Sequence, residues 1–446
     1  MRPVYSRQRE KWLVQGNNFS CRRLPQKIGA SRNFFILFCG ISLPRLAGKS
    51  STESAIFHLF RPIFLVFLLS LPCLPLKAQL ALSQLPLDVR LNEQVIMVPA
   101  GDGLREMLET TVFRPAGPGP FPLLLMNHGK QAGPARLQAR ERFIYMATEF
   151  VRRGYAVMLP MRAGFARSTG AYRDFGCDML GNAQGQARDM LAALAYARRQ
   201  SWVDPERIVV AGQSYGGMAA LALATRVLPG VRGVLNFSGG LRVDMPGCDW
   251  QGALAKSFAT MGAYNHIPSL WLYGANDSYF SPALARRLFN SFTGSGGRAQ
   301  LLAYGPFKRD AHLTLGSRDG VAVWLPATER FLRKIGMPVR QVYRVAEAPS
   351  PPATHFAPQD DIAAVPYLEE QGRAAYRVFL EKTAPRAFAL SASGAWGWAE
   401  EGESPDVRAL ASCQRRSSLP CQLYSVDESV VWPVAGASAS AAGGAQ

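Results

Sequence analysis

The sequence has few of the residues and patterns on which several large protein classes depend. Its 446 residues include 5 His and 7 Cys, and these form no cluster with the spacing of a metal site. It has no internal repeat, and no glycine-rich loop ahead of a helix that would hold a phosphate, apart from the glycine-flanked serine described below. These absences predict a protein without a bound metal or other cofactor, and they argue against a repeat architecture.

Long apolar runs are also missing. The most apolar segment, residues 63–76, follows Arg61 and holds about a dozen apolar residues, whereas a membrane-spanning helix needs about 20. A cation, a short apolar core and a small residue before a polar one are typical of a secretory signal peptide. We therefore expect a leader over residues 1–78, cleavage after Ala78, and export to the periplasm or beyond.

The leader is unusually long, because about 60 residues precede its apolar core and residues 34–43 form a second apolar patch. Two interpretations remain open. In the one we favour, the true start lies near residue 55. In the other, the N-terminal apolar segment anchors the protein to a membrane.

The net charge of +18 is distributed unevenly. Residues 1–78 hold 12 of the 50 basic residues and 2 of the 32 acidic ones, which leaves 38 basic against 30 acidic residues in the rest of the chain. The basic excess is mainly a property of the leader, so it does not indicate nucleic-acid binding.

Four cysteines follow the leader, and an even number in an exported chain favours disulfides. Three pairings are open. Proximity favours Cys413–Cys421, which leaves Cys177–Cys248; the alternative is four unrelated buried thiols.

One stretch carries the strongest functional signal. Residues 208–211 form a short apolar run typical of a buried strand, and residues 218–225 are small or apolar helix formers. Between them, Gly212, Ser214 and Gly216 form a G-x-S-x-G elbow, which holds a serine at a tight strand-to-helix turn. The alternative is a glycine-rich turn whose serine has no functional role.

Strands and helices alternate along the middle of the chain, which predicts an α/β fold with a mostly parallel sheet covered on both faces. The first two strands could pair as an antiparallel hairpin. The predicted strands are residues 95–98, 107–113, 121–126, 155–159, 208–211, 231–237, 269–273 and 299–303, and the main predicted helices are residues 137–153, 183–200, 218–225 and 322–334.

Three chemically useful side chains follow predicted strands: Ser214, Asp277 and His312. In parallel sheets reactive groups gather at the carboxyl ends of the strands, so we expect these three to meet. A histidine can take the proton of a serine hydroxyl at neutral pH, and a carboxylate can orient that histidine.

Residues 90–337 resemble the α/β-hydrolase superfamily, and within it the dienelactone-hydrolase and prolyl-oligopeptidase-type serine hydrolases. The order Ser, Asp, His is also that of this superfamily. The resemblance rests on N-H-G-K at 127–130, P-M-R-A-G-F-A-R-S-T-G at 160–170, G-Q-S-Y-G at 212–216, Y-G-A-N-D at 273–277 and the late His312. It implies an α/β-hydrolase fold with a mostly parallel eight-stranded sheet.

The resemblance also implies roles: Ser214 as nucleophile, His312 as base and Asp277 as orienting acid. The oxyanion hole needs two backbone donors. One should be the N–H of Tyr215, and the other that of Lys130 or Gln131 in the loop after the 121–126 strand.

Other residues compete for these roles. We expect His128 to shape the oxyanion loop, and His266 to be a packing or surface residue. Asp310 and Asp244 are alternative acids, but neither directly ends a predicted strand. Arg162 is expected to hold the loop beside the site, with direct substrate contact as the alternative.

The composition predicts further boundaries. The hydrolase domain should cover residues 79–340, a proline-rich linker 341–359, a small α+β module 360–433 and a disordered tail 434–446. Within the module, Trp396 and Trp398 should pack its small core; the alternative is an exposed contact with carbohydrate or the cell envelope. We expect the hydrolase to act without this module.

These observations favour an exported serine hydrolase that cleaves an ester substrate of small size through an acyl-enzyme. One alternative is a prolyl-oligopeptidase-type exopeptidase acting on short peptides, although about 40 residues after the leader are too few for the large N-terminal domain usual in such enzymes. Another is a non-catalytic binding protein on a hydrolase scaffold.

Overall fold

The computed structural model describes residues 86–434 and, before them, the strands β1 (Phe19–Arg22) and β2 (Phe38–Ile41). These two strands pair antiparallel within a unit formed by residues 1–72. Residues 73–446 form a second unit, which contains all the elements considered below.

The apolar core of the predicted leader at 63–76 and the expected cleavage after Ala78 lie outside the described residues, as does the tail from residue 435 onward. Within the described ranges, no helix combines the length and the apolar character needed to cross a membrane.

The second unit is built on a sheet of eight strands. Its order is β10-β9-β8-β7-β5-β6-β4-β3; the β3–β4 and β4–β6 pairs are antiparallel, and the other neighbours are parallel. The predicted opening hairpin and mostly parallel eight-stranded sheet are confirmed. The strands are β3 (Gln94–Ala100), β4 (Glu106–Phe113), β5 (Phe121–Asn127), β6 (Ala156–Pro160), β7 (Val203–Gln213), β8 (Val231–Phe237), β9 (Ser269–Gly274) and β10 (Ala299–Tyr304).

Helices cover both faces of this sheet, as predicted. They are α1 (Ile144–Arg152), α2 (Met179–Ala197), α3 (Tyr215–Leu223), α4 (Trp250–Tyr264), α5 (Pro282–Gly294) and α6 (Gly320–Lys334), with short 3₁₀ turns at Val89–Leu91, Asp102–Leu104, Ala135–Leu137 and Ala311–Gly316. Buried residues of α2, α3, α4 and α5 share one core, and those of α1 and α6 share another.

The continuous apolar runs of the central strands follow from this double cover. Successive side chains of a strand point to opposite faces of the sheet. In β7, Ile208 and Val210 join the first core, whereas Val209 and Ala211 join the second. Because both faces are buried over residues 208–211, each of these positions is apolar, and this part of the strand shows no polar alternation.

Two helices were not predicted. Helix α4 lies in the connection between β8 and β9, and α5 follows β9. Both carry ordinary start signals. The Asp249 side chain accepts a hydrogen bond from the N–H of Gly252, and Ser281 caps α5 ahead of Pro282 at its first turn.

The C-terminal module is a small α+β unit, as predicted. Its antiparallel sheet has the order β12-β11-β13-β14, and its strands and helices are β11 (Arg386–Ser391), β12 (Trp396–Glu400), β13 (Cys421–Val426), β14 (Ser429–Val430), α7 (Glu370–Leu380) and α8 (Pro405–Gln414). Trp396 and Trp398 are partly buried against its aromatic core, which agrees with the packing interpretation.

The proline-rich linker is shorter than the predicted 341–359. At its start, the N–H groups of Val342 and Tyr343 both donate to the carbonyl oxygen of Arg152 in α1. At its end, the Thr354 N–H donates to Val430 of the module, and Phe356 packs on the module core. Both ends therefore belong to folded parts of the chain.

Candidate active site

Ser214 lies in a sharp turn between β7 and α3, at the carboxyl end of a central strand. Its backbone has φ 56° and ψ −126°, a conformation that costs a non-glycine residue about 1–3 kcal/mol. A Cβ at Gly212 would lie 2.1 Å from the carbonyl oxygen of Gly216, and one at Gly216 would lie 2.3 Å from that of Asn127. The turn therefore requires both glycines, and it holds Ser214 half-buried at the rim of the sheet.

The helix that follows provides donors beside the serine. Tyr215 is the first residue of α3, and the first N–H groups of a helix have no acceptor within the helix. The aligned peptide dipoles also favour negative charge at this end. The N–H of Tyr215 is one of these groups, and its role as an oxyanion donor stays a prediction.

The loop after β5 carries Lys130 and Gln131, the two candidates for the second predicted donor. A Cβ at Gly129 would lie 3.3 Å from that of Ser214, so the loop runs against the serine. The N–H of Gln131 donates to the Gln138 side chain at 2.9 Å, which removes Gln131 from the candidates. The Gly129 carbonyl accepts a hydrogen bond of 2.6 Å from His128 Nδ1. Because the Gly129–Lys130 peptide is trans, the Lys130 N–H points in the direction opposite to this carbonyl.

A buried pair fixes this loop. His128 Nε2 accepts a hydrogen bond of 3.0 Å from the Arg162 N–H, and the Arg162 guanidinium donates to the His128 carbonyl at 2.5 Å. Burial, reinforced by the charge of Arg162, lowers the pKa of His128 well below its usual range, so the ring is neutral. Burial also lowers the pKa of Arg162, to about 10. Both residues are occupied in supporting the loop.

Asp277 and His312 form a buried pair at the ends of β9 and β10. The Asp277 oxygens lie 3.1 and 3.2 Å from His312 Nδ1, and Oδ1 also accepts from the N–H groups of Tyr279 and Phe280 at 2.9 and 3.0 Å. Burial alone would raise the pKa of Asp277. The hydrogen bonds, first among them that from His312, outweigh burial and lower it.

The rival acids and the remaining histidine lie in other positions. Asp310 Oδ1 accepts from the His312 N–H at 2.9 Å and from the Ser278 N–H at 3.0 Å, so it ties the two loops together through their backbones. Asp244 is paired with Arg242 on the surface, and His266 is exposed. Of the candidate acids, Asp277 is the one bonded to the His312 ring.

Ser214 is linked to the Asp277–His312 pair through the residue before it, Gln213. The Gln213 side chain donates to the His312 carbonyl at 3.2 Å. The hydrogen bonds of residues 86–434 include none from the Ser214 hydroxyl, so the third contact of the predicted triad is not formed in this structure. Such contacts are often long before substrate binds.

One further residue touches the predicted base. The Tyr279 ring packs on the His312 imidazole, with the ring centroids 4.5 Å apart, and Tyr279 is 46% exposed. It lies two positions after Asp277, in the segment D-S-Y-F. No sequence signal separates it from an ordinary loop aromatic.

Both predicted disulfide pairings are present. Cys177 is bonded to Cys248 across 71 residues, and Cys413 to Cys421 across 8. Cys177 lies just before α2 and Cys248 just before α4, so the longer bridge joins the loops after β6 and β8. Among the described residues, no group of three or more His, Cys, Asp or Glu could hold a metal ion.

Comparison with known proteins agrees with this architecture. Residues 102–263 match the sequence profile of the X-Pro dipeptidyl-peptidase family, S15. The chain is 33% identical over 141 residues to the quorum-quenching protein AidA of Acinetobacter baumannii, a match that spans 32% of this chain and 40% of that protein. The predicted similarity to α/β-hydrolases is confirmed, and a hydrolase of this type is supported.

Two solved structures illustrate the similarity of the fold. The acylaminoacyl peptidase of Pyrococcus horikoshii has a TM-score of 0.43 at 15% identity, over 57% of this chain and 43% of its own. An esterase of Pyrococcus furiosus has a TM-score of 0.40 at 12% identity, over 54% of this chain and 92% of its own.

Proposed function

We propose that this protein is an exported serine hydrolase that cleaves carboxylic esters through an acyl-enzyme. Ser214 is the nucleophile, His312 the general base and Asp277 the group that orients the base. The observation that carries the proposal is the Asp277–His312 pair, whose loop is tied through Gln213 to the strained turn at Ser214.

The proposed reaction follows from these positions. Since Nδ1 of His312 is engaged by Asp277, Nε2 is left to take the proton of the Ser214 hydroxyl as its oxygen attacks the ester carbonyl carbon. The carbonyl electron pair moves to oxygen, which accepts hydrogen bonds from the N–H groups of Tyr215 and Lys130. When that pair returns, the bond to the leaving alkoxide breaks, and the alkoxide takes the proton from His312. Water then attacks the acyl-enzyme in the same way and releases the acid.

Peptide cleavage is the second candidate, because residues 102–263 match a dipeptidyl-peptidase family. Such an enzyme must also bind the charged amino terminus of its substrate, for which carboxylates are the natural partners. The carboxylates near His312 already have partners. Asp310 accepts a hydrogen bond from the Ser278 hydroxyl, Glu400 pairs with Arg309, and Glu401 pairs with Lys308. Because these carboxylates are not free to bind an amino terminus, we favour an ester substrate over a peptide.

Export is supported by the two disulfides, since such bonds persist in oxidising compartments. We place the protein in the periplasm or outside the cell, with the N-terminal segment as a removed leader. Fractionation of cells that express the full chain checks this. A full-length product in the membrane fraction would favour the anchored alternative.

Covalent labelling tests the nucleophile directly. A fluorophosphonate probe should label the wild-type protein and the control Ser201→Ala, in which an exposed serine is lost, but not Ser214→Ala. Absence of labelling in the wild-type protein would contradict the proposal and favour a binding protein on this scaffold.

Substrate preference is a separate measurement. The purified protein should hydrolyse short-chain p-nitrophenyl esters faster than Ala-Pro-p-nitroanilide, compared as kcat/KM. The opposite order would establish the peptidase instead of the esterase.

A further inference from the structure

The loop that carries His312 is held at both ends by one carboxylate of the C-terminal module. The carboxylate of Glu401, which follows β12, forms an ion pair with Lys308 Nζ at 2.6 Å. It also accepts a hydrogen bond from Ser317 Oγ at 3.0 Å. Lys308 lies four residues before His312 and Ser317 five residues after it. A single side chain of the module therefore bridges the two flanks of this loop.

Other module contacts fall on the same flanks. Lys308 Nζ also donates to the Ala384 carbonyl at 3.3 Å, Arg309 pairs with Glu400, and Arg318 lies 3.5 Å from Asp427. The Glu401 carboxylate is itself held by the Thr383 hydroxyl at 2.6 Å. The module thus presents a fixed acceptor, not a mobile surface charge.

Within the hydrolase this loop is held by the Asp310 and Gln213 hydrogen bonds described above, and the module adds its contacts to them. His312 lies on the short 3₁₀ turn Ala311–Gly316, which follows β10, and β10 is the edge strand of the large sheet. Loops at a sheet edge have few backbone partners and open more readily than core elements.

The burial of the contact makes it stronger than an ordinary surface ion pair. The side chains of Lys308 and Glu401 are 18% and 16% exposed, so water screens their attraction only partly. By contrast, Glu370 on α7 of the same module is 78% exposed and pairs with Arg377 on its own helix. The two glutamates differ in whether they reach the hydrolase.

We propose that Glu401 is a positioning residue for catalysis: by joining Lys308 to Ser317, it holds the His312 ring against Asp277 and within reach of Ser214. This inference rests on the proposed function, because it requires His312 to be the base. It assigns the C-terminal module to the catalytic unit, whereas the sequence predicted a hydrolase that acts without it.

Kinetics of matched variants separate positioning from mere folding. Glu401→Ala should lower kcat about 10- to 100-fold, because small displacements of catalytic groups have effects of that size, with KM within about threefold. Glu401→Gln, which keeps an acceptor for Ser317, should recover part of the loss. Lys308→Met tests the same bridge from the hydrolase side; because Lys308 also pairs with Asp319 at 2.7 Å, Asp319→Asn is its control. Glu370→Ala and Glu370→Gln should behave as wild type.

Two further measurements make each outcome decisive. Thermal unfolding should show that the variants compared are folded; if Glu401→Ala does not fold, Lys308→Met and Glu401→Gln carry the test. Unchanged kcat in the folded bridge variants, or an equal loss in Glu370→Ala, would overturn the positioning role. Fluorophosphonate labelling of wild-type Ser214 is measured in parallel. Absent labelling would overturn both proposals, whereas full labelling with undiminished kcat would overturn only this one.

Discussion

The side chain of Gln213 donates a hydrogen bond of 3.2 Å to the backbone carbonyl of His312. The residue before the proposed nucleophile is therefore tied to the residue proposed as its base, although 99 positions separate them in the chain. The bond links the end of β7 to the loop after β10 across the rim of the sheet.

Replacing Gln213 should loosen this link. In Gln213→Ala we expect kcat for ester hydrolysis to fall about tenfold, because the distance between Ser214 and His312 is no longer fixed. The free energy of unfolding should fall by about 1 kcal/mol, the usual worth of one hydrogen bond. Gln300→Ala, at an exposed position of β10, is the control. Equal kcat in the two variants would show that the bond has no catalytic role.

Removing the charge of Asp277 should affect rate and stability separately. Asp277→Asn keeps the size of the side chain but disfavours the required His312 tautomer, so kcat should fall about 10³- to 10⁴-fold. The folded-state pKa of Asp277 is lowered. Its charge therefore stabilises the fold above the unfolded pKa of about 3.9, and this contribution is lost as the pH falls through the lower folded value. Urea unfolding from pH 3 to 7 should show the two proteins converging in acid.

The sheet could be predicted from the sequence for a physical reason. Strands buried on both faces must be apolar throughout, and the reactive groups of a parallel sheet follow its strands. The run before Ser214 and the segments that end at Asp277 and His312 are visible from these rules alone. Helices α4 and α5 were not predicted, although Asp249 and Ser281 mark their starts.

Contacts between distant side chains could not be predicted. The exclusion of Gln131 depends on the direction of the Gln138 side chain, and the bridge at Glu401 joins residues more than 80 positions apart. No periodicity or spacing rule gives such pairs. They require the packed structure, which is why the module was expected to be dispensable.

The disulfide between Cys177 and Cys248 should be the more stabilising of the two. On the chain-entropy model, closing 71 residues contributes about 4 kcal/mol, and closing 8 residues about 2.5 kcal/mol. The double variant Cys177→Ala/Cys248→Ala should therefore unfold at lower denaturant than Cys413→Ala/Cys421→Ala. Peptide mass spectra of the unreduced protein check the pairing. Free thiols at Cys177 and Cys248 would contradict it.

Glu403 should make stability depend on pH near neutrality. Its Oε1 lies 2.8 Å from Arg142 and is shielded from solvent, and burial, only partly offset by Arg142, raises the pKa of Glu403 to about 7. A raised folded-state pKa means that the associated stability is full below the unfolded value of about 4.3 and is lost as the pH rises through 7. Glu403→Gln cannot ionise, so it should be more stable than wild type by roughly 3–4 kcal/mol at pH 8 and nearly equal to it at pH 4. Thermal unfolding across this range measures the difference, with the exposed Glu370→Gln as control. A gap that stays constant with pH would show that Glu403 does not titrate there.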